Sequence, residues 1–320
     1  LATLVSIGIF VCWQTISRNP VVIGDSTSVG AGDSNATLSG KKTRTLPTFW
    51  KNLKTTLSKA FGRQIWLHNS SKLDIKIWLL NSVIRARLIV PLLLSVATVA
   101  IGVNTGLSEL FSLDVTGQKP LLLRFIEDTT PPWLIFTFLT LLLFILDDFS
   151  RFFLHWSMHK VPFLWAFHQV HHSAEVLTPI TVYRTHPVES FLYAMRLALV
   201  NGLVLGVAVF LFGSGISFGE ILGANIGVFI FNMVGANLRH SHIRLSFGSQ
   251  LEKWFISPAQ HQIHHSNDPA HYDTNFGTAL AVWDRMFGCL VINQDVKNHL
   301  SFGCNVPMKT LRHAYLSPIK

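Results

Sequence analysis

Charge is the commodity this chain is short of: 13% of its 320 residues are Asp, Glu, Lys or Arg, about half the fraction of a soluble globular protein. The deficit points towards lipid. Acids are the scarcer sign, 17 against 26 basic residues, so the formal charge of +9 reflects missing carboxylates more than added bases. Nucleic-acid binding, which needs Lys and Arg clustered on one face, is therefore not the first reading. Cysteine is equally sparse. Cys12, Cys289 and Cys304 show no CxxC or paired spacing, which excludes a disulfide framework and a thiolate metal site. No internal repeat of fixed period is present, and the Glu-x-x-His pattern of soluble di-iron bundles is missing.

What is there is apolar. The chain opens with a short run, Leu1 to Trp13, too brief to span a bilayer, which reads as the stub of a helix or of a signal segment. Residues 20 to 64 are rich in Gly, Ser, Thr and Asn and then carry Lys41, Lys42, Arg44, Lys51, Lys54, Lys59 and Arg63 without one acid. This stretch reads as a solvated arm, with an amphipathic helix near Phe49 to Phe61 on anionic headgroups or as a plain linker. We divide the chain there, residues 1–65 forming an N-terminal segment and 66–320 a membrane domain. Four segments of about spanning length follow: Ile77 to Val103, Pro131 to Leu146, Phe191 to Phe212, and Phe218 to Val234. The expected architecture is an all-α membrane protein, four transmembrane helices in two hairpins under a helical cap. The positive-inside bias orients it. The basic arm, Arg85 and Arg87 lie on one side, and the acidic connection from Asn104 to Thr130 on the other. Residues 147 to 190 and the tail from about 236 then share the cytoplasmic face with the arm.

Those two stretches hold most of the histidines, twelve of fifteen falling between His155 and His271. They are grouped as His155-x-x-x-His159, His168-x-x-His171-His172, His240-x-His242 and His261-x-x-His264-His265. Residues three and four apart share a helix face, so each box presents two or three imidazoles in one direction. A single such pair is more often structural; several boxes on one membrane face are a metal site. A zinc ion takes three or four protein ligands, whereas nine or ten imidazoles suffice for two metals of higher coordination. Spacing alone does not choose between zinc, copper, iron and nickel. His240 and His242, two apart, cannot both face one way on a regular helix; His240 is the first choice as ligand and His242 the second. Asp148, seven residues before His155, could accept the second ring proton of a ligand histidine, or be a helix-end charge. His186, beside a proline, reads as a residue behind the ligands or beside the substrate. His271 stays open, and His68, His299 and His313 read as surface residues.

In these boxes, in Asp148, in Arg184 to Glu189, in Asn275-Phe-Gly277 and in Trp283-Asp-Arg-Met-Phe-Gly288, the chain resembles the fatty acid hydroxylase and sterol desaturase superfamily of membrane di-iron oxygenases. The resemblance covers roughly Trp66 to Gly288. It implies four membrane helices with a cytosolic cap, and two irons that use O2 and two external electrons to hydroxylate or desaturate a lipid. It carries over His155, His159, His168, His171, His172, His240, His261, His264 and His265 as iron ligands. At position 242 many relatives have Asn where this chain has His, so the tenth ligand stays open. No haem-binding or ferredoxin-like domain is fused, and the resemblance therefore implies a separate donor, ferredoxin- or cytochrome b5-like. The substrate is expected from the bilayer, along a passage that Trp156, Phe163, Trp165 and Phe167 could line. The rival is a histidine-rich membrane zinc protein, either a transporter or a hydrolase. A transporter places its ligands at the bilayer midplane, where these four segments are almost free of His, Asp and Glu.

Overall fold

A computed structural model describes residues 62–111, 131–213, 238–296, 299–304, 306 and 308–319. The described residues are helical, with two isolated β-bridges and no strand. The arm up to residue 61, its amphipathic stretch, most of the acidic connection and the expected fourth span, Phe218 to Val234, lie outside them.

The first apolar segment is not one helix. Helix α1, Asn69–Ile84, runs into a wide turn at Arg85–Ile89 and a single turn at Val90–Leu92. Leu93 is extended, and α2, Val96–Leu110, starts afresh with the Ser95 hydroxyl accepting the Thr98 amide at 2.9 Å. Pro91 supplies the physical reason, since it has no amide N–H for the carbonyl four residues back. The second segment is longer than its apolar run. Helix α3, Pro132–Lys160, has 29 residues and spans roughly 43 Å, well over the bilayer's hydrocarbon thickness of about 30 Å. Its surplus turns carry the first histidine box. Val161, held extended before Pro162, ends it, and Pro162 begins α4, Pro162–His172, which carries the second box. Helix α5, Pro187–Phe212, begins with Pro187 at its first position and stops at Gly213, whose φ of 81° suits glycine.

Two of these helices, over Trp133–Lys160 and Pro187–Phe212, are long and apolar enough to cross a membrane. On α3 the side chains of Trp133, Leu134, Phe138, Leu141 and Ile145 are exposed, a stripe a core helix would bury and a lipid-facing helix presents. We read the chain as a membrane protein on that stripe. Helix α2 lies close against α5 because Gly202 and Gly206, four apart, leave room for it. A Cβ at Gly202 would collide with Val99, and one at Gly206 would stand 2.7 Å from the Ala100 carbonyl oxygen and 2.7 Å from the Val103 Cβ. Gly206→Val should therefore cost about 1–3 kcal/mol by overpacking. The measurement is thermal unfolding in detergent beside Gly102→Ala, where a new Cβ meets nothing within 4 Å; equal melting temperatures would refute the contact.

Residues 238–296 form short helical turns and loops held together and to α3 by buried acids. Asp148 on α3 accepts the amides of Ala279 at 2.9 Å and Leu280 at 3.0 Å and the Trp283 indole N–H at 2.9 Å. Asp284, on α7 (Val282–Met286), accepts the Phe276 and Gly277 amides. Glu252 accepts the hydroxyls of Ser246 and Ser257 and the Asn293 amide. These contacts present α6, Pro258–His264, to the membrane helices; a reciprocal cap between Ser257 and Gln260 fixes its start. A short C-terminal helix, α8 (Leu311–Leu316), closes the far side, where Leu73, Ile77, Val170, Met308 and Ala314 form one apolar cluster.

Candidate metal centre

Helical spacing decides how the boxes divide. On α3, His155 and His159 are one turn apart and face the same way. In each His-x-x-His-His box the outer pair is also one turn apart, so it stays together and the middle residue goes elsewhere. The result is two groups: His155, His159, His168, His172 and His264, and His171, His240, His261 and His265. Within each, the ligand atoms lie within 4.8 Å of one another. The second box therefore gives two imidazoles to the first group and one to the second, and the third box does the reverse. The groups abut: the ring of His172, in the first, stacks on that of His265, in the second, at 4.5 Å.

Several rings are held from behind through Nδ1. His155 faces the Phe276 carbonyl at 2.8 Å, His264 that of Thr274 at 2.7 Å, and His171 that of Arg184 at 3.2 Å. His168 has a carboxylate there, Glu189 at 3.1 Å. Such partners fix the tautomer and aim Nε2 inward. Phe276 packs edge-on against His155, His159 and His264. Inside the cluster, Nε2 of His159, His168, His172, His264 and His265 is buried with no hydrogen-bond partner. In the second group, Nε2 of His171 and of His261 each lie 3.0 Å from Nε2 of His240, an arrangement a single ring proton cannot satisfy twice. Burial pushes His168 and His171 down to about 3 and His172, His261, His264 and His265 well below the usual imidazole range. Burial thus favours the neutral form of these six rings, the form that binds metal. Buried polar atoms without partners are costly, and four bare imidazole Nε2 atoms in the first group, with one bare Nε2 and a cluster of Nε2 atoms facing one another in the second, are what metal ions would satisfy.

The structure brings together nine of the ten histidines named as metal candidates. His242 is in neither group and lines a separate cavity with Leu177, Gln262 and His299. His186 caps α5, its Nδ1 accepting the Val188 amide at 3.1 Å while Nε2 faces the Tyr315 carbonyl at 3.3 Å. Asp148 has no imidazole among its hydrogen-bond partners, because its oxygens are taken by Ala279, Leu280 and Trp283; the carboxylate hydrogen-bonded behind a candidate ligand is Glu189, and Asp273 lies 3.7 Å from His159 Nδ1. In the sequence Glu189 was marked by its place in the Arg184 to Glu189 segment and as an acid in the first turn after His186-Pro187. His271 bonds the Ser266 hydroxyl at 3.0 Å and stays outside both groups, and His68 caps α1.

Two cavities flank the centre. One, of about 460 Å³, touches His155 and His168 of the first group and His171, His240 and His261 of the second, and runs between α5 and the break at Ile89 to Leu93. The other, of about 350 Å³, reaches His159, His172, His264 and His265 from the opposite side, past Trp165 and Tyr272. Of the four aromatics expected along the lipid passage, none lines the first cavity, and Trp165 lines the second, its ring 4.9 Å from that of His159.

Fold and site thus define a helical protein with a buried polyhistidine centre able to hold two metal ions. Residues 140–289, which carry all nine clustered histidines, match the family model for Fatty acid hydroxylase. The chain is 27% identical over 170 residues to an alkylglycerol monooxygenase from Xenopus tropicalis, covering 53% of this chain and 33% of that protein. It is 29% identical over 146 residues to an ornithine lipid hydroxylase from Rhizobium tropici, covering 45% of this chain and 39% of that protein. The alkylglycerol monooxygenase of Danio rerio is 29% identical over 158 residues, 48% of this chain and 31% of its own length. The chain thus spans about a third of the length of these curated relatives. No solved structure gives a significant match.

Proposed function

We propose that this chain is a membrane-bound oxygenase that holds two iron ions in the two histidine groups and hydroxylates or desaturates a lipid with O2. Electrons come from a separate ferredoxin- or cytochrome b5-like donor, and the centre faces the cytoplasm, on the side of the basic residues. The observation that carries this is the pair of abutting groups of buried imidazoles, in which five Nε2 atoms, those of His159, His168, His172, His264 and His265, have no hydrogen-bond partner. The relatives named as lipid monooxygenases and hydroxylases supply the reaction class. Bound iron would supply the activation of O2 for attack on an unactivated C–H bond. The chain's own part is position and dryness. His155, His264 and His171 are oriented by backbone carbonyls and His168 by Glu189, the cap excludes water, and the cavity along α5 admits the lipid from the side of the bilayer. Asp148 and His186 act by position, the first tying α3 to the cap and the second starting α5.

Metal analysis of the purified chain, followed by O2 consumption with reductant and lipid, tests this. Two irons with turnover support it; stoichiometric zinc that hydrolyses an ester and ignores O2 defeats it in favour of the zinc-protein reading. Glu189→Ala is expected to lower iron affinity about 10–100-fold through loss of the His168 partner, with Glu189→Gln less affected because its amide oxygen still accepts. Competition with a chelator reads this, and unchanged affinity in Glu189→Ala would remove Glu189 from the site.

A further inference from the structure

The cavity that touches both histidine groups has a charged inner wall. One helical turn before His155, about 6 Å along α3, stands Arg151; Arg239 immediately precedes His240; Arg196 and Tyr193 come from α5, and Arg85 stands in the wide turn after α1. The apolar residues Ile89, Val90, Leu93 and Leu197 line the same space at the helix break and further along α5.

The carboxylates nearby are largely occupied. Asp147 accepts from Arg151 at 2.8 Å and from Arg196 at 2.9 Å. Glu189, which also lines the cavity, uses Oε1 on His168 and keeps Oε2 buried without a partner, and Asp148 holds two amides and an indole. Arg239 is buried, and its one hydrogen bond among the described residues runs from Nη1 to the Thr278 carbonyl at 2.9 Å. Among the described residues Arg151 uses only Nε, on Asp147, and Arg196 keeps Nε buried without a partner. Guanidinium groups are thus concentrated beside the centre with donors to spare, and such donors are best satisfied by a planar or tetrahedral anion. Arginines whose sole task was to tie α3 to α5 would need no second carboxylate's worth of vacant N–H groups.

We propose, building on the oxygenase reading above, that this chain takes a lipid with an anionic oxygen group, a carboxylate or a phosphate, held by Arg239 and Arg151, and oxidises it within a few bonds of that group. The apolar tail lies along α5 and the helix break. The arginines sit one turn from the histidines, so a chain anchored there presents its head-proximal carbons to the centre and leaves its middle and far end in the bilayer.

The test uses the full iron-loaded chain in nanodiscs and a photoreactive long-chain carboxylate, with its adduct mapped by mass spectrometry. An unlabelled fatty acid, an alkyl phosphate and an alcohol of equal chain length compete with it. The acid or the phosphate should displace the probe at least about tenfold better than the alcohol, and the better of the two names the source of the anion. Arg239→Gln and Arg151→Gln should each erase the preference, and Arg239→Lys should keep part of it. An alcohol that competes as well as both anions overturns the proposal on the wild-type chain alone, whatever the variants do. So does an oxidised product whose new oxygen lies mid-chain. Because competition needs no turnover, an anion preference in a chain that consumes no O2 would sink the oxygenase reading and leave this site standing. Turnover of neutral lipids without preference would do the reverse.

Discussion

His172→Ala is expected to abolish iron-dependent turnover and to lower iron occupancy at both positions, more severely than the loss of any partner behind the ligands. The ring belongs to the first group and meets His264 of that group edge-on, yet it stacks on His265 of the second, so its removal opens the wall between the groups. Without metal the same substitution should cost little stability and could raise it, because it deletes a buried nitrogen that has no partner. The pair of measurements is therefore diagnostic. The melting temperature of the metal-free variant should match or exceed that of the metal-free wild type, while the stabilisation on adding iron, which scales with binding to the folded state, should shrink sharply. A structural histidine would behave in the opposite way. His264→Ala should act alike. His186→Ala is the contrast: it removes a helix cap worth about 1 kcal/mol and should leave metal content intact, and iron loss there would place His186 among the ligands. Full turnover by His172→Ala would end the assignment.

Helical periodicity made the centre legible. The spacing of one turn that joins His168 to His172 and His261 to His265 is local, and it survives whatever the rest of the chain does. What could not be read was everything that depends on a distant backbone. Asp148 looked like an acid behind a ligand because α3 aligns it with His155, but its partners are amides more than a hundred residues away. Glu189 took that place by virtue of a helix start that only the fold brings beside His168. The first apolar segment failed for a different reason. Hydropathy counts side chains, and Pro91 interrupts the backbone while leaving the apolar count untouched. His242, two residues from His240, was left open by its spacing, and it points into a different cavity.

Arg184→Met should be the most destabilising single change outside the histidines, about 3–5 kcal/mol. Arg184 is almost wholly buried and ties three parts of the chain together. Its Nη1 meets Asp74 on α1 at 2.7 Å, its Nε donates to the Val170 carbonyl on α4 at 3.0 Å, and its Nη2 reaches the Ser173 hydroxyl at 2.8 Å and the Met308 carbonyl at 3.1 Å. Methionine leaves Asp74 buried with the Thr181 hydroxyl as its remaining partner. Burial already raises the Asp74 carboxyl above its ordinary value, against the pull of Arg184, and removing the guanidinium raises it further. A carboxyl whose pKa is raised on folding stabilises the fold when protonated and ceases to do so as pH rises through the folded value. The deficit of Arg184→Met should thus be largest near neutrality and shrink towards acid, and Arg184→Met with Asp74→Leu should recover much of it. Because the Arg184 carbonyl also faces His171, iron should leave the second group first. Denaturation in detergent across pH, with iron counted at each step, checks all three; a deficit that grows towards acid would show that the ion pair does not carry the stability.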